Sequence, residues 1–221
     1  MQDAQLRVTE RVAIVSGAGA AEGIGFATAA RLVRAGLRVV IGATSERIHD
    51  RAAELEAIAA DMQGGGEAPG AAGVTPGRER LPRAIPVVAD LTEEVGAAAL
   101  VDAAIEHYGR IDVLVNNAGM TSVSDPQEPA SAEALDRAGF EHAVTRNLTT
   151  AYLLSRAALA HLAKAEHGRI VTVSSVSGPI LAYRGDVGYH AGGRSSELVR
   201  VVHSVGTSFR GSGTVAGFRV F

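Results

Sequence analysis

The chain has 221 residues, 47% of them hydrophobic and only 4% aromatic, which suits one α/β domain with an aliphatic core better than two domains. A net charge of −3 gives no electrostatic case for nucleic acid or an anionic membrane. The absence of cysteine excludes disulfides, thiolate zinc sites and a cysteine nucleophile, and the scattered histidines, without an H-E-x-x-H pair, suggest no metal site.

Short β-rich runs alternate with longer segments of helical period, which predicts βαβ units and a parallel sheet. Arg11 to Ser16 is expected as the first strand, followed by a glycine-rich turn. Phe26 to Ala35 then carries apolar residues at helical spacing, and Gly36 stops it. Leu37 to Ile41 reads as the second strand and Glu46 to Met62 as the second helix.

Residues Gly64 to Arg83 break this rhythm with three consecutive glycines and two proline-containing turns. They are expected to form a long surface loop, either flexible or a specificity feature. Ala84 to Ala89, ending in Asp90, is the third expected strand, and Glu93 to Tyr108 the helix after it. Ile111 to Asn116 is a nearly continuous apolar run, as befits a strand covered on both faces. A long helix over Glu141 to Lys164 and a fifth strand over Arg169 to Ser174 follow. In the tail, Leu198, Val202, Val205 and Phe209 keep a helical period, and Thr214 to Val220 has the composition of a sixth strand.

No apolar run approaches the roughly 18 residues needed to cross a bilayer. The stretch Met1 to Glu10 lacks the apolar segment of a secretory signal, so a soluble cytoplasmic protein is expected.

The first strand runs into Ser16-Gly17-Ala18-Gly19-Ala20-Ala21-Glu22-Gly23-Ile24-Gly25-Phe26. Glycines between a buried strand and a helix let backbone N–H groups approach a pyrophosphate, and the helix N-terminus favours its negative charge. The segment resembles the T-G-x-x-x-G-x-G motif of the short-chain dehydrogenase/reductase family. Counted from Gly17 the loop is two residues too long, whereas counted from Gly19 the positions of Gly23 and Gly25 fall into the family spacing; strand geometry favours Gly17.

Four further segments resemble family signatures in the family's order. Asp90-Leu91-Thr92 looks like the acidic corner that holds the adenine amino group, and Asn116-Asn117-Ala118-Gly119 matches the N-N-A-G signature. Asn147 resembles the catalytic asparagine, and Ser174-Ser175-Val176-Ser177-Gly178 the catalytic serine segment. The resemblance covers residues 11–189 and implies a doubly wound, Rossmann-type α/β fold of three layers (αβα), here as a single domain over residues 1–221 with an atypical, shortened tail over 190–221. It assigns Gly17, Gly19, Gly23, Ile24, Gly25, Asp90, Leu91, Asn117, Ala118 and Gly119 to a nicotinamide dinucleotide.

At the end of strand two, Ala43 occupies the position where an acidic residue would accept bonds from an NAD ribose. Thr44 and Ser45 can donate to a phosphate and Arg47 can pair with it, which makes NADP the first choice and NAD the second. The run is similar to that of ketoacyl-carrier reductases of the family. Thr44 or Ser45 can equally cap the next helix, and Glu46 would repel a phosphate.

The resemblance implies interconversion of a small carbonyl compound and an alcohol, with Tyr189 as acid/base, Ser175 anchoring the reacting oxygen and Asn147 organising a proton-relay water. It also implies a lysine four residues after the tyrosine, but Tyr189-His190-Ala191-Gly192-Gly193 places Gly193 there. The sole lysine of the chain is Lys164, upstream. An ordinary tyrosine, with a pKa of about 10, is roughly 0.1% phenolate at neutral pH, and a nearby cation lowers a pKa by about 1–3 units. Arg194 is cationic, but one position further round a helix is about 100° away. A rival expectation is therefore a pseudoenzyme that binds a dinucleotide or a partner without turnover. Family relatives often assemble as tetramers, which makes a homo-oligomer a further expectation.

Overall fold

The computed structural model describes residues 10–64, 81–119, 131–175 and 187–191. The expectations for the middle of the 64–83 loop, for Gly193 and for the tail beyond residue 191 lie outside the described residues.

Five strands form one parallel sheet: β1 (Val12–Ser16), β2 (Arg38–Ala43), β3 (Ala84–Val88), β4 (Val113–Asn116) and β5 (Arg169–Thr172), in the order β3-β2-β1-β4-β5. The register pairs Val12 with Arg38, Ala13 with Val113 and Val113 with Arg169, so the C-terminal ends of the strands line up along one edge. Alternate residues of β1 feed opposite faces, as the two-residue period of a strand requires. Val12 and Ile14 pack with Leu100, Leu114, Leu154 and Tyr108, whereas Ala13 and Val15 pack with Ala29, Val33, Ile48 and Leu55. Helices α1 (Ile24–Arg34) and α2 (Arg47–Gly64) cover the second face. Helix α3 (Glu94–Tyr108) and the later helix α5 (Thr150–Leu162) cover the first. Three layers of this kind, wound outward from β1, are the expected doubly wound α/β fold.

The expected long helix over Glu141 to Lys164 starts earlier and is interrupted. Helix α4 (Arg137–Val144) begins where Asp136 accepts the Gly139 N–H at 2.8 Å, a side-chain cap that the apolar periodicity does not display. A single π-helical turn, Thr145–Thr149, then separates α4 from α5. Its cause is local competition for carbonyls. The Thr150 N–H reaches back five residues to Thr145, while the Thr150 hydroxyl donates to the Arg146 carbonyl at 2.7 Å. Asn147 Nδ2 likewise takes the Ala143 carbonyl at 2.9 Å. The helical path ends at Leu162, so Lys164 lies in the following turn.

Of the expected 64–83 loop, the first residue is helical, while Leu81 to Arg83 lie in no helix or strand, as expected. Gly64 closes α2, and Leu81 to Arg83 are tied to the sheet. Arg38 donates to the Leu81 and Pro82 carbonyls, the latter at 2.8 Å, and its guanidinium lies over the Tyr108 ring. Glu56 on α2 accepts the N–H groups of Arg83 and Ala84. Tyr108 donates its hydroxyl to the Pro82 carbonyl at 3.0 Å, and burial pushes that phenol well above its usual range.

At the same edge, the buried Asp112 accepts from the Val12 N–H at 2.9 Å and takes a two-pronged pair from Arg110. Asp112→Ala is expected to cost about 2–3 kcal/mol, mostly from the orphaned Val12 donor, because the Arg110 side chain is partly solvated. Urea unfolding should show it, with Asp112→Asn milder because an amide oxygen still accepts. A loss below about 1 kcal/mol would refute this account.

Candidate functional site

The strand order reverses between β1 and β4, and the chain leaves both strands there toward opposite faces. A crevice at the C-terminal strand ends is where such sheets take ligands. Ser16, the last residue of β1, is 1% exposed and joins the two strands. Its hydroxyl donates to the Val115 carbonyl at 3.2 Å and accepts the N–H groups of Asn117 and Ala118, both at 3.0 Å. Asn117 answers across the gap: its Nδ2 donates to the carbonyls of Ser16 and Gly17, at 3.1 and 3.0 Å.

Gly17 is the turn residue, with φ +69°, and a Cβ there would stand 2.8 Å from the Ala118 Cα. Gly25, in the first turn of α1, lies directly beneath: a Cβ on it would collide with the Gly17 carbonyl and come within 2.6 Å of Asn117 Nδ2. The pair Gly17 and Gly25 therefore brackets the turn. Gly19 leans against Ala43, Gly23 caps α1, and Ile24 is exposed at the helix start. The Ala18 N–H donates to the Gly42 carbonyl at 3.0 Å, closing the turn over β2.

Beside this turn, past the end of β2, Thr44 is exposed and Arg47 Nε lies 3.4 Å from Ser45 Oγ. Glu46 faces His49, Oε2 to Nε2 3.2 Å, along the outer side of α2. Past β3, Asp90 Oδ1 accepts the Thr92 N–H and hydroxyl, at 2.9 and 2.7 Å, while Leu91 is buried in the core. Past β4, Gly119 approaches the π turn so closely that a Cβ on it would stand 2.9 Å from Asn147 Oδ1. The segment 187–191 is helical and packs on α4, where a Cβ on Gly188 would meet Ala143 at 2.6 Å. Tyr189 is thereby carried on a segment lying against α4, one turn before Asn147. Ser175 lies three residues past β5, half-buried, on the same edge of the sheet.

The model of the short chain dehydrogenase family matches residues 65–192, more than half of the chain. This chain belongs to the short-chain dehydrogenase family. It is 37% identical over 171 residues to the cis-4-hydroxycyclohexanecarboxylate dehydrogenase of Sinomonas cyclohexanicum, covering 77% of this chain and 57% of that protein. It is 31% identical over 170 residues to glucose 1-dehydrogenase 2 of Bacillus subtilis, covering 76% of this chain and 55% of that one. The chain thus spans about half the length of these curated relatives. A crystal structure of a short chain dehydrogenase from Mycobacterium smegmatis superposes with a TM-score of 0.70 at 27% identity, over 91% of this chain and 72% of the other.

Within this short-chain dehydrogenase the sheet separates one residue from the rest. Lys164 lies at the turn leading into β5, at the N-terminal edge. Ser175 lies beyond the opposite end, about 20 Å away at the rise of an extended chain. The sole lysine of the chain thus stands at the edge of the sheet away from Ser175. Sequence reasoning passed over Ser16, whose hydroxyl joins β1 to β4, and Arg146, which is 8% exposed within the π turn. The signal for Ser16 was its place as the last, inward-facing residue of an otherwise apolar strand; Arg146 gave none. No described helix is long and apolar enough to cross a membrane.

Proposed function

We propose that this chain binds NADP(H) and serves an oxidoreductase that interconverts a carbonyl and an alcohol. When bound, the nicotinamide supplies or accepts the hydride. Tyr189 gives a proton to the carbonyl oxygen or takes one from the alcohol, Ser175 donates a hydrogen bond to that oxygen, and Asn147 holds the water through which the proton is replaced. The carrying observation is the closed turn at the β1–β4 junction. Gly17 and Gly25 leave backbone where side chains would otherwise stand, and the N-terminus of α1 behind them favours a diphosphate.

Three features support NADP over NAD. Ala43 offers no carboxylate to a ribose, Ser45 and Arg47 sit together beside it, and Glu46 is turned to His49. Calorimetric titration with NADPH and NADH tests this reading. The expected result is tighter binding of NADPH, and no heat with either coenzyme would overturn the proposal. Arg47→Ala should weaken NADPH about tenfold, the worth of one exposed charge-assisted contact, and leave NADH within about twofold. Equal weakening of both would place Arg47 outside the phosphate site.

One feature favours a second reading, a dinucleotide-binding pseudoenzyme. Gly193 stands four residues after Tyr189, and Lys164 lies at the wrong edge of the sheet. NADPH binding without consumption across a panel of ketones and aldehydes would select it.

A further inference from the structure

The helical path from α4 to α5 meets the end of β4 at two heights. Within the core, Asn116 donates its Nδ2 to the Ser155 hydroxyl oxygen at 2.8 Å, and both residues are buried. Further out, Gly119 faces Asn147 Oδ1 so closely that a Cβ would stand 2.9 Å from it. Asn147 and Ser155 are eight residues apart in the chain. In an unbroken α-helix that spacing leaves them about 80° apart round the axis. A turn closed by i→i+5 bonds takes fewer degrees per residue, so the π turn Thr145–Thr149 brings Asn147 toward the face that carries Ser155. The interruption thus aims one side chain at the strand end.

Thr150 is the residue at which the backbone bonding changes. In an α-helix the Arg146 carbonyl would accept the Thr150 N–H. Here that N–H goes one residue further back, to Thr145, and the Thr150 hydroxyl takes the Arg146 carbonyl at 2.7 Å. A hydroxyl has replaced an amide on one acceptor. Thr150 is 5% exposed, so solvent has little access to make the same exchange. The Asn147 amide is fixed at its other end, where Nδ2 donates to the Ala143 carbonyl at 2.9 Å and leaves Oδ1 toward Gly119.

We infer that Thr150 is a positioning residue: its hydroxyl keeps the π turn open and so holds the Asn147 amide against Gly119. This role rests on the one proposed above for Asn147, although Thr150 itself touches no reacting atom.

Two variants separate the hydroxyl from the shape of the side chain. Thr150→Val keeps the branching and removes the hydroxyl, whereas Thr150→Ser keeps the hydroxyl. Heteronuclear NMR follows the Asn147 side-chain amide, whose signal is identified by its loss in Asn147→Ser. In the parent and in Thr150→Ser that signal should hold one position and exchange slowly with solvent. In Thr150→Val it should move and exchange about tenfold faster, as for the loss of one hydrogen bond. An unmoved signal in folded Thr150→Val overturns the inference. So does a signal displaced in Thr150→Ser but not in Thr150→Val, because the methyl group would then be what matters. If Thr150→Val does not fold, Thr150→Ala carries the same comparison.

Carbonyl reduction supplies a separate arm. Thr150→Val should lower kcat about 10- to 100-fold, the effect of a slightly misplaced group, and leave the NADPH dissociation constant within about twofold. Unchanged kcat in a variant whose Asn147 signal has moved would overturn the link to the reaction. If the parent reduces no carbonyl, the activity proposed for the site fails, and the Asn147 signal still decides whether Thr150 positions it.

Discussion

A Gly25→Val variant is expected to lose NADPH binding by at least about 100-fold while remaining folded. The helix that carries Gly25 rests on the Gly17 carbonyl and on Asn117 Nδ2, so a branched side chain there meets backbone that has no rotamer to offer. Relief requires α1 to back away from β1. Overpacking of this kind costs about 1–3 kcal/mol, or roughly 3–10 °C in Tm for a chain of this length. The larger consequence is for the turn. Moving α1 carries its N-terminal N–H groups away from the diphosphate position, and two charge-assisted bonds at about 1.5–3 kcal/mol each exceed a hundredfold in affinity. Asp112→Ala supplies the control, because it removes comparable stability at the opposite edge of the sheet. Calorimetry should find NADPH affinity intact in the Asp112 variant and lost in the Gly25 variant. Parallel losses in the two would mean that general destabilisation, rather than the turn, governs binding.

The contrast between those two positions also marks what the sequence displays and what it conceals. Val12 to Val15 is legible as a central strand because both faces are covered, which forces a continuous apolar run. The glycine-rich turn after the first strand is legible, but which glycine turns the chain is not, since Gly17 and Gly19 are chemically alike and only the positive φ at Gly17 separates them. Asn117 is recognisable by its signature, yet its work, bridging the carbonyls of Ser16 and Gly17, depends on β1 and β4 being neighbours although about a hundred residues lie between them. Periodicity merges α4, the π turn and α5 into one helix because apolar spacing is blind to Thr150 and Asn147 competing for main-chain carbonyls. Arg146 is the hardest case. An arginine on an amphipathic helix ordinarily reads as solvent-facing, and only its 8% exposure in the folded chain shows that this one is buried.

Gly193→Lys is expected to raise alcohol oxidation at neutral pH by about 10- to 1000-fold. The acid/base role proposed for Tyr189 requires the phenolate in the oxidative direction, and a cation beside it favours that charged form by about 1–3 pKa units. Residues 187–191, which carry Tyr189, are helical and packed on α4. The effect should be direction-dependent. Carbonyl reduction draws on the protonated phenol, which is abundant without any cation, and should gain less, chiefly through contacts between the new ammonium and the ribose. A steady-state comparison of kcat in both directions, at one pH and with saturating coenzyme, separates the two contributions. A Gly193→Arg variant adds a discriminating point: it supplies charge but in a longer, planar group, and should recover less than lysine if ribose contact matters. If the parent already oxidises alcohols as fast as the lysine variant, another group must stabilise the phenolate. If neither turns over while both bind NADPH, the missing lysine is not what limits the site, and the pseudoenzyme reading stands on more than that one position.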